Sequence, residues 1–277
     1  MAHLLFHPPR KKHHREPDHI GLPSSVLVTT TDDGIDLHLW LIPGDGAGVV
    51  ILGHGIGLTK SASLPHAALL HELGYHVVMF DHRNHGLSGG DPSQDRLAER
   101  YSNDIAACLG VAADTWPDSG APIVWGFSFS TFSTLYSLRT ETTAIGGIIC
   151  DSGPGLDLDA MLRHFLTEGG LPGPPWLTRL LSGPSVAAEF AGAAVGMLGA
   201  SWPPDPHTSA SGITPMLYLT GTQDRIVASE DTIAVAALYP HATVAELPAG
   251  HLRGLKAAGP RYVESVVSYL GSLRAAR

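Results

Sequence analysis

The sequence predicts an open α/β fold with a mostly parallel central sheet flanked by helices, and three observations lead to this prediction. Short, continuous apolar runs recur along the chain, as expected for strands that are covered on both faces. Most of these runs are separated by stretches with helical spacing of apolar residues. A length of 277 residues suits one large domain of this kind. Alternation of strands and helices favours parallel pairing through right-handed crossovers.

The first predicted element is an antiparallel hairpin. From Ile35 to Leu41 apolar and polar residues alternate, which is typical of a strand with one wetter face. Ser25 to Thr30 is its predicted partner.

The remaining strands and helices follow in order. The predicted buried strands are Val49 to Leu52, His76 to Phe80, Pro122 to Trp125, Ile145 to Cys150 and Met216 to Leu219, followed by a further strand at Ala242 to Leu247. Helices are predicted at Leu64 to Leu73, Leu97 to Ala113, Ser128 to Leu138 and Pro260 to Leu273.

One segment interrupts the alternation, and it defines the predicted domain organisation. About sixty residues rich in Gly, Pro, Leu and Ala separate two strands, and an unstructured loop of that length is uncommon in a compact domain. We therefore predict a small helical cap insertion over residues 152–212. The α/β core then comprises residues 25–151 and 213–277, and residues 1–24 form a His-rich basic N-terminal arm.

Composition excludes several classes of function. The formal net charge of −9 disfavours a nucleic-acid partner, since phosphates require a clustered basic surface. No stretch approaches the ~20 apolar residues of a membrane span, and no secretory signal is recognised. Cys108 and Cys150 are too few for a disulfide framework, so we expect buried thiols, a soluble chain and a cytoplasmic location.

The arm contains the densest cluster of basic residues. Arg10, Lys11, Lys12 and Arg15 are interleaved with histidines. A solvated terminal arm and a site for a metal or an anionic surface are the two interpretations that the sequence leaves open.

Three serines compete for the role of nucleophile. Ser88 lies in the only literal Gly-x-Ser-x-Gly pentapeptide, and Ser185 lies in a relaxed match within the predicted cap. A nucleophilic serine of an α/β sheet sits on a sharp turn between a strand and a helix. Only Ser128 has that context, because an apolar strand precedes it and a helical stretch follows it.

The general base and its partner are selected by position as well. In open α/β sheets the site lies at the carboxyl ends of the strands. His251 follows the last strand and Asp224 follows the strand before it, while Asp151 is the competing acid. Asp224 is favoured because it gives the chain order Ser, Asp, His.

Two backbone amides are predicted to form an oxyanion hole. Phe129 follows the nucleophile, and Ile56 lies in the glycine-rich loop after the third strand. His54, His82 and His85 also lie at strand ends, but no cluster of cysteines or carboxylates accompanies them at metal spacing, so we predict no metal and no cofactor.

The chain resembles the α/β-hydrolase superfamily from about Ser25 to Leu273, within the esterase-like and peptidase-like branches that carry a cap after strand six. The segments that carry the resemblance are His54–Gly57, Gly74–Ser88, Gly126–Ser130, Gly221–Val227 and Pro248–His251. Two residues depart from the pattern, since Asn84 and Ser130 stand where glycine is usual. The serine at the turn disfavours the branches of the superfamily that use Asp there.

These observations predict a serine hydrolase that cleaves a small-molecule carboxylic ester or thioester with an acyl or aromatic moiety of moderate size. Phe127, Phe165, Trp176 and Trp202 are the candidate substrate contacts. The alternatives are an acyltransferase or cyclase that uses the same three residues, and a non-catalytic ligand-binding protein on the same fold. The sequence does not predict an oligomeric state.

Overall fold

The computed structural model describes residues 2–139, 144–168, 183–208 and 210–275. An eight-stranded sheet lies at the centre, with the strand order β1-β2-β4-β3-β5-β6-β7-β8. The last six strands along the chain are parallel, and β2 pairs with β4 in antiparallel orientation. The predicted mostly parallel sheet is therefore confirmed.

The first two strands form the predicted hairpin. Strand β1 (Ser25–Thr30) pairs antiparallel with β2 (Asp36–Ile42), and Leu27 lies opposite Leu39. Strand β1 lies at the edge of the sheet.

The parallel strands begin and end close to the predicted positions. They are β3 (Val49–Leu52), β4 (His76–Phe80), β5 (Ile123–Phe127), β6 (Gly147–Asp151), β7 (Met216–Gly221) and β8 (Ala242–Leu247). Every described residue of β3, β5, β6 and β7 is buried, which explains the continuous apolar runs.

The described part of the chain also contains the helices α1 (Ala2–Phe6), α2 (Leu64–Glu72), α3 (Leu97–Thr115), α4 (Phe129–Tyr136), α5 (Leu158–Thr167), α6 (Pro184–Leu198), α7 (Ser229–Ala236) and α8 (Gly254–Ala275). Short 3-10 helices cover Pro17–Ile20, Lys60–Ser63, Pro117–Ser119 and Ser137–Arg139. Helices α2 and α8 cover one face of the sheet, and α3, α4 and α7 cover the other.

The start predicted for the C-terminal helix is wrong. Helix α8 begins at Gly254, and Pro260 lies inside it. Proline has no N–H, so the helix loses one intrahelical hydrogen bond at that position. Tyr262, Val266 and Leu270 are buried in the core that α8 shares with the sheet, and this packing outweighs the local preference of proline.

Two helices occupy the described part of the segment between β6 and β7. Helices α5 and α6 pack against each other, and their apolar faces share one cluster of buried residues with α1. Trp176, a candidate substrate contact, lies outside the described residues.

Of the two interpretations of the arm, that of a solvated segment does not hold for part of its length. Ala2, Leu5 and Phe6 are buried, because their spacing gives α1 one apolar face that packs against α6. The His13 side chain is 6% exposed and lies 2.8 Å from the carboxylate of Asp81. Lys11, Lys12 and Arg15 remain exposed.

Among the described residues, no helix is long and apolar enough to cross a membrane, and no group of three or more potential metal ligands occurs. The two cysteines are free and buried, as predicted.

Candidate active site

Ser128 lies on a sharp turn between β5 and α4. Its backbone has φ 51° and ψ −117°, a conformation that non-glycine residues rarely adopt and that concentrates at functional sites. A Cβ at Gly126 would lie 2.5 Å from the carbonyl oxygen of Ser130, so the residue two positions before the serine must be glycine. The turn places Ser128 at the carboxyl edge of the sheet, directly after β5.

Three side chains from three strand ends meet at this edge. Nε2 of His251 lies 2.8 Å from Oγ of Ser128. Nδ1 of His251 lies 2.7 Å from Oδ2 of Asp224. The residues are far apart in sequence, and the parallel order of β5, β7 and β8 brings their loops together. This chain of contacts supports a proton shift from the hydroxyl to the ring nitrogen.

Asp224 is fixed by its own turn. Its Oδ1 accepts the backbone N–H groups of Ile226 at 2.8 Å and Val227 at 3.0 Å, which leaves Oδ2 for His251. The carboxylate is 1% exposed. A Cβ at Gly221 would lie 2.3 Å from the carbonyl oxygen of Ala249, so a glycine here lets the loop of Asp224 lie against the loop of His251.

Asp151, the competing acid, is not the carboxylate that is hydrogen-bonded to His251. It ends β6 and accepts hydrogen bonds from the hydroxyls of Tyr262 and Ser152. Burial raises the pKa of Asp151 to about 6, although both hydrogen bonds act in the opposite direction. Ser152 in turn accepts the backbone N–H of Leu252 at 3.0 Å, so the pair supports the loop that carries His251.

Ile56 and Phe129 line the same cavity as Ser128. Phe129 is the first residue of α4, where a backbone N–H has no acceptor within the helix.

Ile56 lies in the loop after β3, and hydrogen bonds to two histidines hold this loop in place. Nε2 of His85 accepts the N–H of Gly57 at 3.0 Å, and Nε2 of His54 accepts the N–H of His82 at 3.1 Å.

Both of these histidines are held neutral. Nδ1 of His85 lies 2.8 Å from the carbonyl oxygen of Arg83, and Nδ1 of His54 lies 2.8 Å from that of Gly55. Burial lowers the pKa of His85 to about 4 and holds the pKa of His54 well below its ordinary value. A neutral ring that donates from Nδ1 can accept at Nε2, as this loop requires.

The cavity at Ser128 and the open solvent at its mouth together amount to about 450 Å³ of space not occupied by atoms. Helices α1, α4 and α5 line it together with the loop of Ile56 and the loop after Asp224. None of the described residues that line it carries a charge.

Of the three candidate substrate contacts that the structure describes, one lines the cavity at Ser128 and two lie elsewhere. Phe165 lines the cavity at Ser128. Phe127 lies in β5 and lines a separate cavity with His66 and Asp151. Trp202 packs its ring 4.7 Å from that of Phe132 and donates to the carbonyl of Gly155, outside the described lining of the Ser128 cavity.

The two other candidate serines do not line the cavity at Ser128. Oγ of Ser88 donates to the carbonyl of Asp81 at 2.6 Å and accepts the N–H of His38 at 2.9 Å, so its hydroxyl joins β2 to the loop after β4. Ser185 is exposed in the first turn of α6.

Ser130 forms a contact that sequence reasoning missed. Its Oγ lies 3.0 Å from Nε2 of His82, and Nδ1 of His82 lies 3.5 Å from Oδ2 of Asp104. A Cβ at Gly53 would lie 1.9 Å from this Oγ, so the glycine of the neighbouring strand end provides the space. The signal in the sequence was the serine itself, since glycine is usual at its position.

A buried ion pair outside the lining of this cavity was also missed. Nζ of Lys60 lies 2.6 Å from Oδ2 of Asp81, and both side chains are fully buried. Burial acts to raise the pKa of Asp81, but the hydrogen bond from His13 and the charge of Lys60 outweigh it and lower that pKa. Such a pair leaves no trace in the periodicity of apolar residues along the chain.

Comparison with known proteins gives one family and several structural neighbours. The model of the family described as "Alpha/beta hydrolase family" matches residues 49–260. The polyketide transferase grgF of Penicillium sp. is 37% identical over 123 residues, which are 41% of this chain and 40% of that protein. The sequence match therefore spans less than half of the relative.

The structural likeness is more extensive. The Pyrococcus furiosus esterase Pf2001 superposes with a TM-score of 0.75 at 22% identity, covering 96% of this chain and 98% of that chain. The alpha/beta hydrolase GrgF from Penicillium sp. sh18 superposes with a TM-score of 0.67 at 21% identity, covering 92% and 100%. At these identities the likeness shows the fold.

Proposed function

We propose that this chain, which belongs to the alpha/beta hydrolase family, is a serine hydrolase that cleaves carboxylic esters or thioesters through an acyl-enzyme on Ser128. The observation that carries the proposal is the continuous contact from Oγ of Ser128 through His251 to Asp224, with distances of 2.8 and 2.7 Å. The first distance allows transfer of the hydroxyl proton of Ser128 to His251, and the second is a hydrogen bond through which Asp224 orients the ring.

Each residue then has one role in acyl transfer. His251 takes the proton of Ser128 at Nε2 as the hydroxyl attacks the carbonyl carbon, and it returns that proton to the leaving group. Asp224 accepts the hydrogen bond from Nδ1 of His251, which fixes the tautomer and stabilises the imidazolium. Water activated by His251 then attacks the acyl-enzyme and releases the acid.

The negative charge that develops on the carbonyl oxygen requires donors. We assign this role to the backbone N–H groups of Phe129 and Ile56, which belong to residues on two sides of Ser128 in the same cavity. His85 supports the second donor, because it holds the N–H of the adjacent Gly57. Helices α5 and α6 serve as the cap over this site.

Labelling by a fluorophosphonate probe tests the proposal, since the probe reacts with an activated serine and requires no knowledge of the substrate. We expect the wild-type protein and Ser185→Ala to be labelled, because Ser185 is exposed and remote from the cavity. Ser128→Ala should lose labelling and lose kcat for p-nitrophenyl butyrate by a factor of at least about 10³. A wild-type protein that is never labelled would instead support a non-catalytic ligand-binding protein.

Acyl transfer to an acceptor other than water is a second candidate. It is supported by the uncharged lining of the cavity and by the partial sequence similarity to a polyketide transferase. A cavity that admits little water prolongs the life of an acyl-enzyme and favours other nucleophiles. Product analysis in the presence of graded alcohol, amine and thiol acceptors separates the two reactions, because hydrolysis yields only the free acid.

A further inference from the structure

We propose that the N-terminal segment forms one wall of the acyl pocket, and that Leu5 limits the length of the uncharged, apolar acyl group that Ser128 accepts. This inference rests on the proposed function of Ser128 and goes beyond it, because it assigns a substrate class and a role to a segment outside the sheet.

The first observation is the position of Leu5. Its side chain lines the same cavity as Ser128 and is 4% exposed. Met161 and Phe165 of α5 line that cavity as well. The wall is therefore shared by two segments more than 150 positions apart in the sequence, and only one of them lies between β6 and β7.

The second observation is the attachment of α1. The carbonyl oxygen of Phe6 accepts hydrogen bonds from Nδ2 of Asn84 at 3.1 Å and from the hydroxyl of Tyr101 at 3.0 Å. The Phe6 ring is fully buried and lies 5.9 Å from the ring of Phe129, the residue beside the nucleophile. His7 adds a contact of 2.7 Å from its Nε2 to the carbonyl oxygen of Asp91. These contacts fix the chain directly after Leu5, so the segment forms a stable wall.

Asn84 connects this wall to a departure from the usual pattern of the superfamily. Its backbone φ of 64° lies in the left-handed region that favours glycine, and an asparagine tolerates it better than most residues. A glycine at this position would have no side chain, whereas the amide of Asn84 donates the hydrogen bond that holds the carbonyl oxygen of Phe6. Oδ1 of the same amide accepts the N–H of Asp91 at 2.7 Å, so the amide is fixed at both ends.

The chemistry of the lining defines the ligand. The described residues that line the cavity carry no charge, and apart from Ser128 the only polar side chain is that of Thr131. Its hydroxyl already donates to the carbonyl oxygen of Ser128 at 2.5 Å. An acyl chain with a terminal carboxylate or ammonium would find no partner here, so a neutral aliphatic or aryl-aliphatic acyl group fits this wall.

Leu4 and Leu5 give a matched pair of variants. Leu4 is 54% exposed and absent from the lining of the cavity, whereas Leu5 is buried in it. The experiment measures kcat/KM for p-nitrophenyl esters from acetate to dodecanoate. We expect Leu5→Ala to raise the ratio of decanoate to acetate by about tenfold, since each extra buried methylene strengthens binding severalfold. Leu5→Trp should lower that ratio, and Leu4→Ala should leave it unchanged.

Asn84→Gly tests the attachment without disturbing the backbone, because glycine accepts the φ of Asn84. We expect it to shift the ester profile in the same direction as Leu5→Ala. The chain-length profile can also be measured without ester turnover. For this, the rate constants of labelling are compared for fluorophosphonates with ethyl to dodecyl chains.

The possible failures are distinguishable. If all variants are labelled but the chain-length profile of Leu5→Ala stays within about twofold of that of Leu4→Ala, the inference is overturned and the proposed function stands. If the wild-type protein is not labelled by any chain length, the proposed function fails and the inference fails with it.

Discussion

Nε2 of His85 accepts the backbone N–H of Gly57 at 3.0 Å, next to the residue whose amide we assign to the oxyanion hole. We predict that His85→Leu lowers kcat by about fivefold with little change in KM, since a lost buried hydrogen bond costs about 1 kcal/mol and misplaces a donor needed in the transition state. Steady-state kinetics with p-nitrophenyl butyrate measure the effect.

Two further variants identify the cause. His85→Gln keeps an acceptor and should recover part of kcat, while His207→Leu, at an exposed position, should match the wild type. A decrease confined to KM in His85→Leu would show that this histidine acts on substrate binding and would contradict its role as a positioning residue.

The buried carboxylate of Asp151 predicts a pH-dependent stability. Its pKa is about 6 in the folded protein against 3.8 for the ordinary group, so the folded state binds the proton more tightly. The stability that this proton contributes is complete below pH 3.8 and is lost as the pH rises through 6. Urea unfolding at pH 5 and pH 7 measures the change.

Asp151→Asn supplies the control, because an amide does not titrate in this range. Between pH 5 and pH 7 the free energy of unfolding of the wild type should fall by roughly 1 kcal/mol relative to that of the variant. An identical pH dependence of the free energy of unfolding in the two proteins would show that Asp151 of the folded protein does not lose a proton between pH 5 and pH 7.

Gly53 and Ser130 form a pair whose substitutions should not be additive. Gly53→Ala places a Cβ 1.9 Å from Oγ of Ser130, and we predict a loss of about 1–3 kcal/mol in the free energy of unfolding. Ser130→Gly removes the obstructing atoms, so the double variant should recover most of the loss that Gly53→Ala causes. A double-mutant cycle from urea unfolding gives the coupling energy.

Gly259→Ala is the matched control for this cycle. It lies in α8 with no atom within 4 Å of the added Cβ, and alanine is a better helix former than glycine. Additivity of the two substitutions at Gly53 and Ser130 would mean that the strand end moves to accept the methyl group.

The buried pair of Lys60 and Asp81 predicts a large effect on stability. Lys60→Met leaves the carboxylate of Asp81 buried without its cation, which typically costs about 3–5 kcal/mol. Lys256→Met, at an exposed position of α8, should change the free energy of unfolding by less than about 0.5 kcal/mol. Equal effects of the two substitutions in thermal or urea unfolding would refute the importance of the pair.

The order of strands and helices, and the meeting of Ser128, Asp224 and His251, followed from the sequence because both depend on a regular rule. Buried parallel strands leave continuous apolar runs, and their carboxyl ends share one edge of the sheet. The polar residue directly after each run was therefore expected to lie near the others.

The features that were missed depend on tertiary contacts that no local pattern encodes. The side chains of Lys60 and His13 are 47 positions apart in sequence and meet only because the arm folds back over the loop after β4. Helix α1 was missed because a segment of five residues is too short to show a recognisable helical periodicity of apolar residues. The start of α8 was misplaced because packing against the sheet overrides the local preference of Pro260.

The two cysteines lie on neighbouring layers of the fold, Cys108 in α3 and Cys150 in β6, and burial raises the pKa of each thiol well above its ordinary value. Neither thiol is ionised or accessible in the closed molecule, so an alkylating reagent modifies only molecules that have opened. Each modified thiol adds the mass of one label, so the mass spectrum taken during slow alkylation shows which fraction of the molecules has opened. Simultaneous addition of two labels means that helix and strand separate as one cooperative unit, whereas a singly labelled species reveals that one of them opens first.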